Sequence, residues 1–116
     1  MVKSFEALNV RVEHETVWVT INRPEAMNAL NELVLDELTT VFETYIPNQE
    51  VLLRAVVIDG SGEKAFVAGA DIEQMSQMEP VAAGQFAAKG QHLTTVIEAC
   101  PLVTIAKVQG YALGGG

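Results

Sequence analysis

Ala55-Val56-Val57-Ile58 is an unbroken apolar, β-favouring run set between Arg54 and the turn-forming Asp59-Gly60-Ser61-Gly62. A strand with one wet face alternates apolar and polar side chains. An unbroken run is the pattern of a strand covered on both faces, which needs other layers packed against it. That segment argues for an α/β architecture. The composition can supply the layers, because 49% of the 116 residues are hydrophobic and only 19% are charged, a globular balance. The single cysteine, Cys100, can form neither an internal disulfide nor a Cys-rich metal site, so apolar packing must hold the fold together.

The neighbouring segments have their own periods. Leu8, Val10 and Val12 alternate with polar residues, and Val17, Val19 and Ile21 alternate with Trp18 and Thr20, giving a β-hairpin across His14, Glu15 and Thr16. Asn22-Arg23-Pro24-Glu25 ends the second strand, since proline lacks an N–H and restricts the residue before it, and a loop continues through Met27 and Asn28. Leu30, Val34, Leu38, Val41, Phe42 and Tyr45 then recur at helical spacing, with Asn28 or Asn31 as the cap and Pro47 as the stop. Ala65-Phe66-Val67 predicts a short strand, and Asp71 with Gln74 has the spacing of a capping box for a short helix. Pro80 suits the first turn of a further helix, whose Phe86, Leu93, Val96 and Ile97 share a face, which Gly84 and Gly90 weaken and Cys100-Pro101 closes. Leu102 to Val108 is a last, mostly apolar strand. The expected order is β-β-α-β-β-α-α-β in one domain, 1–116.

Several function classes fall away. With 15 acidic residues against 7 basic ones, a formal charge of -8, no broad basic surface exists for a nucleic acid. No apolar run approaches the roughly 18 to 20 residues that cross a bilayer, and the N-terminus has neither a signal-type apolar core nor a transit pattern, so no membrane partner is expected and a cytoplasmic location fits. A Walker-type phosphate loop, a serine nucleophile elbow, a zinc-protease His pair and a dinucleotide glycine fingerprint are all absent. His14 and His92 lie far apart without partners at ligand spacing, so no metal is expected. Cys100 reads as a packing residue, and Glu32, Asp36, Glu37 and Glu43 as a solvated helix face.

Two backbone features remain. Ala68-Gly69-Ala70-Asp71 and Leu113-Gly114-Gly115-Gly116 each follow a strand, and each should open a helix. The first N–H groups of a helix have no internal acceptor and carry the positive end of its dipole, while small residues let a ligand approach the backbone. Two such turns facing one point would bind an oxyanion. Taken alone, the same residues also read as ordinary tight turns.

Three motifs carry a resemblance: Ile21-Asn22-Arg23-Pro24-Glu25-Ala26-Met27-Asn28-Ala29-Leu30, then Ala65-Phe66-Val67-Ala68-Gly69-Ala70-Asp71-Ile72, then Val108-Gln109-Gly110-Tyr111-Ala112-Leu113-Gly114-Gly115-Gly116. In this order and spacing the chain, from about Phe5 to Gly116, resembles the crotonase superfamily, the enoyl-CoA hydratase/isomerase family. The resemblance implies a crotonase-type α/β fold, a spiral of ββα units, that assembles as a homotrimer or dimer of trimers and binds acyl-coenzyme A thioesters without a prosthetic group. It gives the thioester oxygen two backbone N–H donors, Ala68 and Gly115. Ala26, Met27 and Ala29 match the segment lining the CoA moiety, and Gly69, Ala70, Asp71 and Ile72 match the wall beside the pantetheine and the acyl group. Asp71 is thus both a cap and a wall residue, with the cap as its main physical task.

The implied reaction is hydration of 2-enoyl-CoA to 3-hydroxyacyl-CoA, in fatty-acid β-oxidation or related metabolism. Preorganised N–H donors would favour the enolate-like charge on the thioester oxygen. The general acid/base glutamates of such hydratases fall beyond Gly116, and none of Glu25, Glu32, Glu63 or Glu73 matches them, so the chain is expected to be the N-terminal part of a longer one, truncated before the second half of the fold. Isomerase, dehydratase or decarboxylase chemistry, or acyl-CoA binding without catalysis, are the alternatives.

Overall fold

A computed structural model describes residues 5–116. The hairpin forms as β1 (Leu8–Glu13) and β2 (Thr16–Ile21), antiparallel. Its two-residue turn puts His14 and Glu15 at φ +52° and +64°, the left-handed pair whose twist matches that of a hairpin. The tip is tied to the next strand, since the Arg54 N–H donates to the Glu15 carbonyl at 2.8 Å and its guanidinium pairs with the Glu15 carboxylate at 2.6 Å. β3 (Ala55–Gly60) lies parallel to β2, and β5 (Val103–Ala106) lies parallel to β3, so the sheet order is β1-β2-β3-β5. The unbroken apolar run is therefore an interior strand, with Val56 and Val57 both buried.

The helices cover one face. α1 (Glu32–Thr40) starts at Asn31, whose side chain accepts the Val34 N–H at 2.9 Å. Of the two candidate caps the structure uses Asn31. Val34, Leu35 and Leu38 pack on Val17, Val19, Ile21 and Val56 in one core. Val41–Tyr45 widens into a π turn, closed by the Ile46 N–H on the Val41 carbonyl, just before Pro47, which has no N–H to extend the ladder. α3 (Pro80–Glu98) crosses α1 and buries Phe86 and Leu93.

Two departures from the sequence reading matter. The last strand, expected over Leu102 to Val108, pairs only over Val103–Ala106, where it is exposed along its whole length, Val103 by 64% and Ile105 by 45%. A two-residue strand that periodicity cannot register, β6 (Tyr111–Ala112), pairs in parallel with β4 (Ala65–Val67) as a separate sheet. This pair positions the site.

Candidate functional site

β4 and β6 run in the same direction, so the chain leaves both at the same end. The segments that follow, Ala68–Asp71 and Leu113–Gly116, emerge side by side, the position at which parallel strands present backbone to a ligand. They touch through backbone. A Cβ on Gly69 (φ +98°) would lie 3.1 Å from the Leu113 carbonyl oxygen, and one on Gly116 would lie 2.1 Å from the Val67 carbonyl oxygen. Glycine is thus required for the two turns to meet, and the Leu113 N–H fastens them by donating to the Val67 carbonyl at 3.1 Å. Residues 113–116 open no helix here. The first turn does, as α2 (Ile72–Ser76).

The loop from Asn22 to Leu30 backs the first turn. Pro24–Ala26 forms one 3₁₀ turn, after which Met27 and Asn28 take positive φ, +53° and +57°. Along this loop the Ala68 N–H donates to the Met27 carbonyl at 3.2 Å, the Leu30 N–H to the Gly69 carbonyl at 2.8 Å, and the Asp71 N–H to the Leu30 carbonyl at 2.8 Å. Leu30 and Ala70 therefore form a parallel bridge. In such a bridge the partner residue's own N–H points to the opposite edge of its chain. The Ala70 N–H faces away from the loop and, among the described residues, finds no acceptor. The same holds for the Gly115 N–H.

This geometry bears on the residues singled out by sequence. Ala68, given as a donor, has its N–H on the Met27 carbonyl at 3.2 Å, and the N–H groups of that turn without an acceptor among the described residues are those of Gly69 and Ala70, as Gly114 and Gly115 are in the second turn. Asp71 caps α2, accepting the Gln74 N–H at 3.0 Å. The reciprocal half of the box is missing, because the Gln74 side chain accepts the Glu32 N–H instead. Arg23 donates to Asp71 Oδ2 at 3.2 Å and to the Ala29 carbonyl at 2.7 Å, bracing loop against helix. The Asp71 carboxyl is held below the usual carboxylate range, chiefly by the Gln74 N–H and then by Arg23, while burial works in the other direction. Ile72 is 79% exposed and Ala26 is half-buried.

Met27 lines a cavity of about 390 Å³ with Pro24, Asn28 and Ser61 to Ala65, and Ala26 and Ala29 are not among its walls. Gly115 opens instead on a cavity of about 310 Å³ lined by apolar side chains of the sheet, α1 and α3. The acidic face of α1 is partnered: Lys89 bridges Glu32 and Asp36, His92 meets Glu43 at 2.8 Å, and Glu37 accepts the Glu6 and Ala7 N–H groups. Cys100 is half-buried in an apolar cavity at the opposite end of β3. Among the described residues, no group of three His, Cys, Asp or Glu side chains could hold a metal ion. No helix there is long and apolar enough to cross a membrane.

Sequence reasoning missed Asn28 as anything beyond a possible cap. It is the one buried polar residue among those described, 1% exposed, with its amide bonded on three sides. The available signal was an asparagine after Met27 in a loop that must reverse, a place where left-handed backbone favours Asn.

The α/β layer thus presents unengaged backbone N–H groups on two adjoining turns at the ends of parallel strands. The model of the enoyl-CoA hydratase/isomerase family matches residues 12–116, and the chain belongs to that family. It is 43% identical to the short-chain-enoyl-CoA hydratase of Clostridium acetobutylicum over 113 residues, 96% of this chain and 42% of that protein. It is 40% identical to the crotonyl-CoA hydratase of Syntrophomonas wolfei over 113 residues, 97% of this chain and 43% of that protein. The enoyl-CoA hydratase structure from Bacillus anthracis superposes with a TM-score of 0.89 at 30% identity, covering 96% of this chain and 43% of that one. The crotonase-type fold expected from the three motifs is thus the fold observed. The chain spans about 42% of the length of the curated relatives it matches.

Proposed function

We propose that the protein binds the thioester carbonyl of an acyl-CoA between the backbone N–H groups of the Ala68–Ala70 turn and the Gly115 N–H, and that in a chain of its relatives' length this serves hydration of 2-enoyl-CoA to 3-hydroxyacyl-CoA. The observation that carries the reading is the presence of unengaged N–H groups, Gly69 and Ala70 on one turn and Gly114 and Gly115 on the other, where the two turns adjoin. Charge that grows on the thioester oxygen during addition of water is met by dipoles already in place, which favours the transition state over the ground state. Ala68 is the donor by resemblance, and its N–H lies 3.2 Å from the Met27 carbonyl. Coenzyme A enters as part of the substrate, with no prosthetic group, and the cavity beside Met27 receives part of it.

Residues 1–116 form the N-terminal part of a single acyl-CoA-binding domain, cytoplasmic and trimeric or a dimer of trimers at full length. Proton transfer falls to glutamates outside these residues. Glu32 is held by Lys89, and Glu25, Glu63 and Glu73 are exposed and match none of the family's glutamates, so the 116 residues alone are expected not to hydrate crotonyl-CoA.

The test is crotonyl-CoA hydration by a chain extended to the relatives' length. Ala68→Pro and Ala70→Pro each remove one N–H of the first turn, and loss of the donor is expected to lower kcat by roughly 10²- to 10³-fold, whereas the serine variants keep the N–H and cost little. Circular dichroism checks that the proline variants are folded. Near-normal kcat in both folded proline enzymes overturns the assignment.

A further inference from the structure

Gly115 is a wall of the apolar cavity of about 310 Å³ that lies between the sheet, α1 and α3, so this space is continuous with the paired turns. Leu30, another wall, lies against Gly115, where a Cβ would come 3.3 Å from Leu30 Cδ1. Leu38, Phe66, Leu93 and Ile97 offer only carbon to the interior. The one polar side chain among the walls, Thr94, already donates its hydroxyl to the Gln91 carbonyl at 2.8 Å. A polar substituent entering here would lose its water and gain no side-chain partner, so the cavity suits hydrocarbon. Its volume is about ten times the share of one water molecule in the liquid, too much for a butyryl group to fill.

α3 contributes Gly90 to the wall. Glycine weakens a helix interior, and no neighbour requires it at this position, because a Cβ on Gly90 meets nothing within 4 Å. Gly84 is equally unobstructed, yet it is no wall of this cavity. What distinguishes Gly90 is that the space left by its missing side chain belongs to the cavity.

We propose that Gly90 sets acyl-chain length: the cavity receives the hydrocarbon tail of a thioester held at the paired turns, and the bare backbone at position 90 admits tails longer than butyryl. The proposal rests on the thioester reading for what anchors the tail, and it adds the class of acyl group, apolar and longer than that of crotonyl-CoA.

Calorimetric titration of the 116-residue chain with CoA, acetyl-CoA, butyryl-CoA and octanoyl-CoA decides it. Each methylene fully buried is worth about fourfold in affinity, so octanoyl-CoA is expected to bind roughly tenfold or more tighter than butyryl-CoA. Gly90→Leu fills the cavity with a good helix former and should abolish that gain, with acetyl-CoA affinity held within about twofold. Gly90→Ala strengthens the helix while adding one methyl group, and should keep most of the gain. No gain with chain length in the parent overturns the proposal, as does an undiminished gain in a folded Gly90→Leu chain. Equal losses for acetyl-CoA and octanoyl-CoA in that variant would mean general damage and also overturn it. Should Gly90→Leu not fold by circular dichroism, Ala106→Leu fills the same cavity from β5 and is read in the same way, and failure of both to fold counts against the proposal. The two readings fail separately. Preference for acetyl-CoA over CoA reports on the turns, and preference for octanoyl-CoA over butyryl-CoA reports on the cavity.

Discussion

Asp71 joins a helix cap to an ion pair, and the two can be measured apart. Asp71→Ala removes both and is expected to lower stability by about 1 to 2 kcal/mol in urea unfolding at pH 7. Asp71→Asn keeps a capping oxygen and removes the charge. Because the carboxyl is depressed in the folded chain, its charge contributes fully above the unfolded value of about 4, and the contribution is lost as pH falls through the folded value. The stability gap between the parent and Asp71→Asn should therefore close as pH falls below about 4. Gly69→Ala tests the turn contact. With φ at +98° and the Leu113 oxygen 3.1 Å from the new Cβ, it should cost about 1 to 3 kcal/mol and weaken thioester binding. That these two turns adjoin was suggested by their small residues and strand context. Which of their N–H groups stay free was not legible, because that depends on the bridge from Leu30, 40 positions away from Ala70 in sequence.

The helices and the longer strands were readable because each carries several turns or alternations of its own pattern. α3 shows how local the remaining choices are. Gly84 and Gly90 both lie within it, and a Cβ at either meets nothing within 4 Å. Gly84→Ala should accordingly stabilise the chain by about 0.5 to 1 kcal/mol and raise Tm by a few degrees, as read by thermal unfolding. β6 is the opposite case. Two residues hold no period, and Tyr111 and Ala112 are strand only because β4 lies alongside them. The π turn at Val41–Tyr45 was equally hidden, since its apolar residues fit α-helical spacing as well. The presence and exposure of β5 were legible, but its extent was not, since apolar residues beyond Ala106 continue the pattern without a paired strand beside them.

An exposed edge strand with Val103 and Ile105 uncovered is a template for pairing with another chain. The 116 residues should associate as concentration rises in sedimentation velocity, and Ile105→Lys should shift them toward monomer. A concentration-independent monomer for the parent would contradict this. The β4–β6 pair has a different consequence for the molecule. Ala65 and Tyr111 are brought together from distant parts of the sequence by a ladder only two residues long, so closing it carries a loop entropy that few bonds repay. Occupancy and closure then become thermodynamically reciprocal. Whatever lodges between the turns acts as a clasp on β6, slowing its fraying, and any change that frays β6 must weaken the ligand by the same factor.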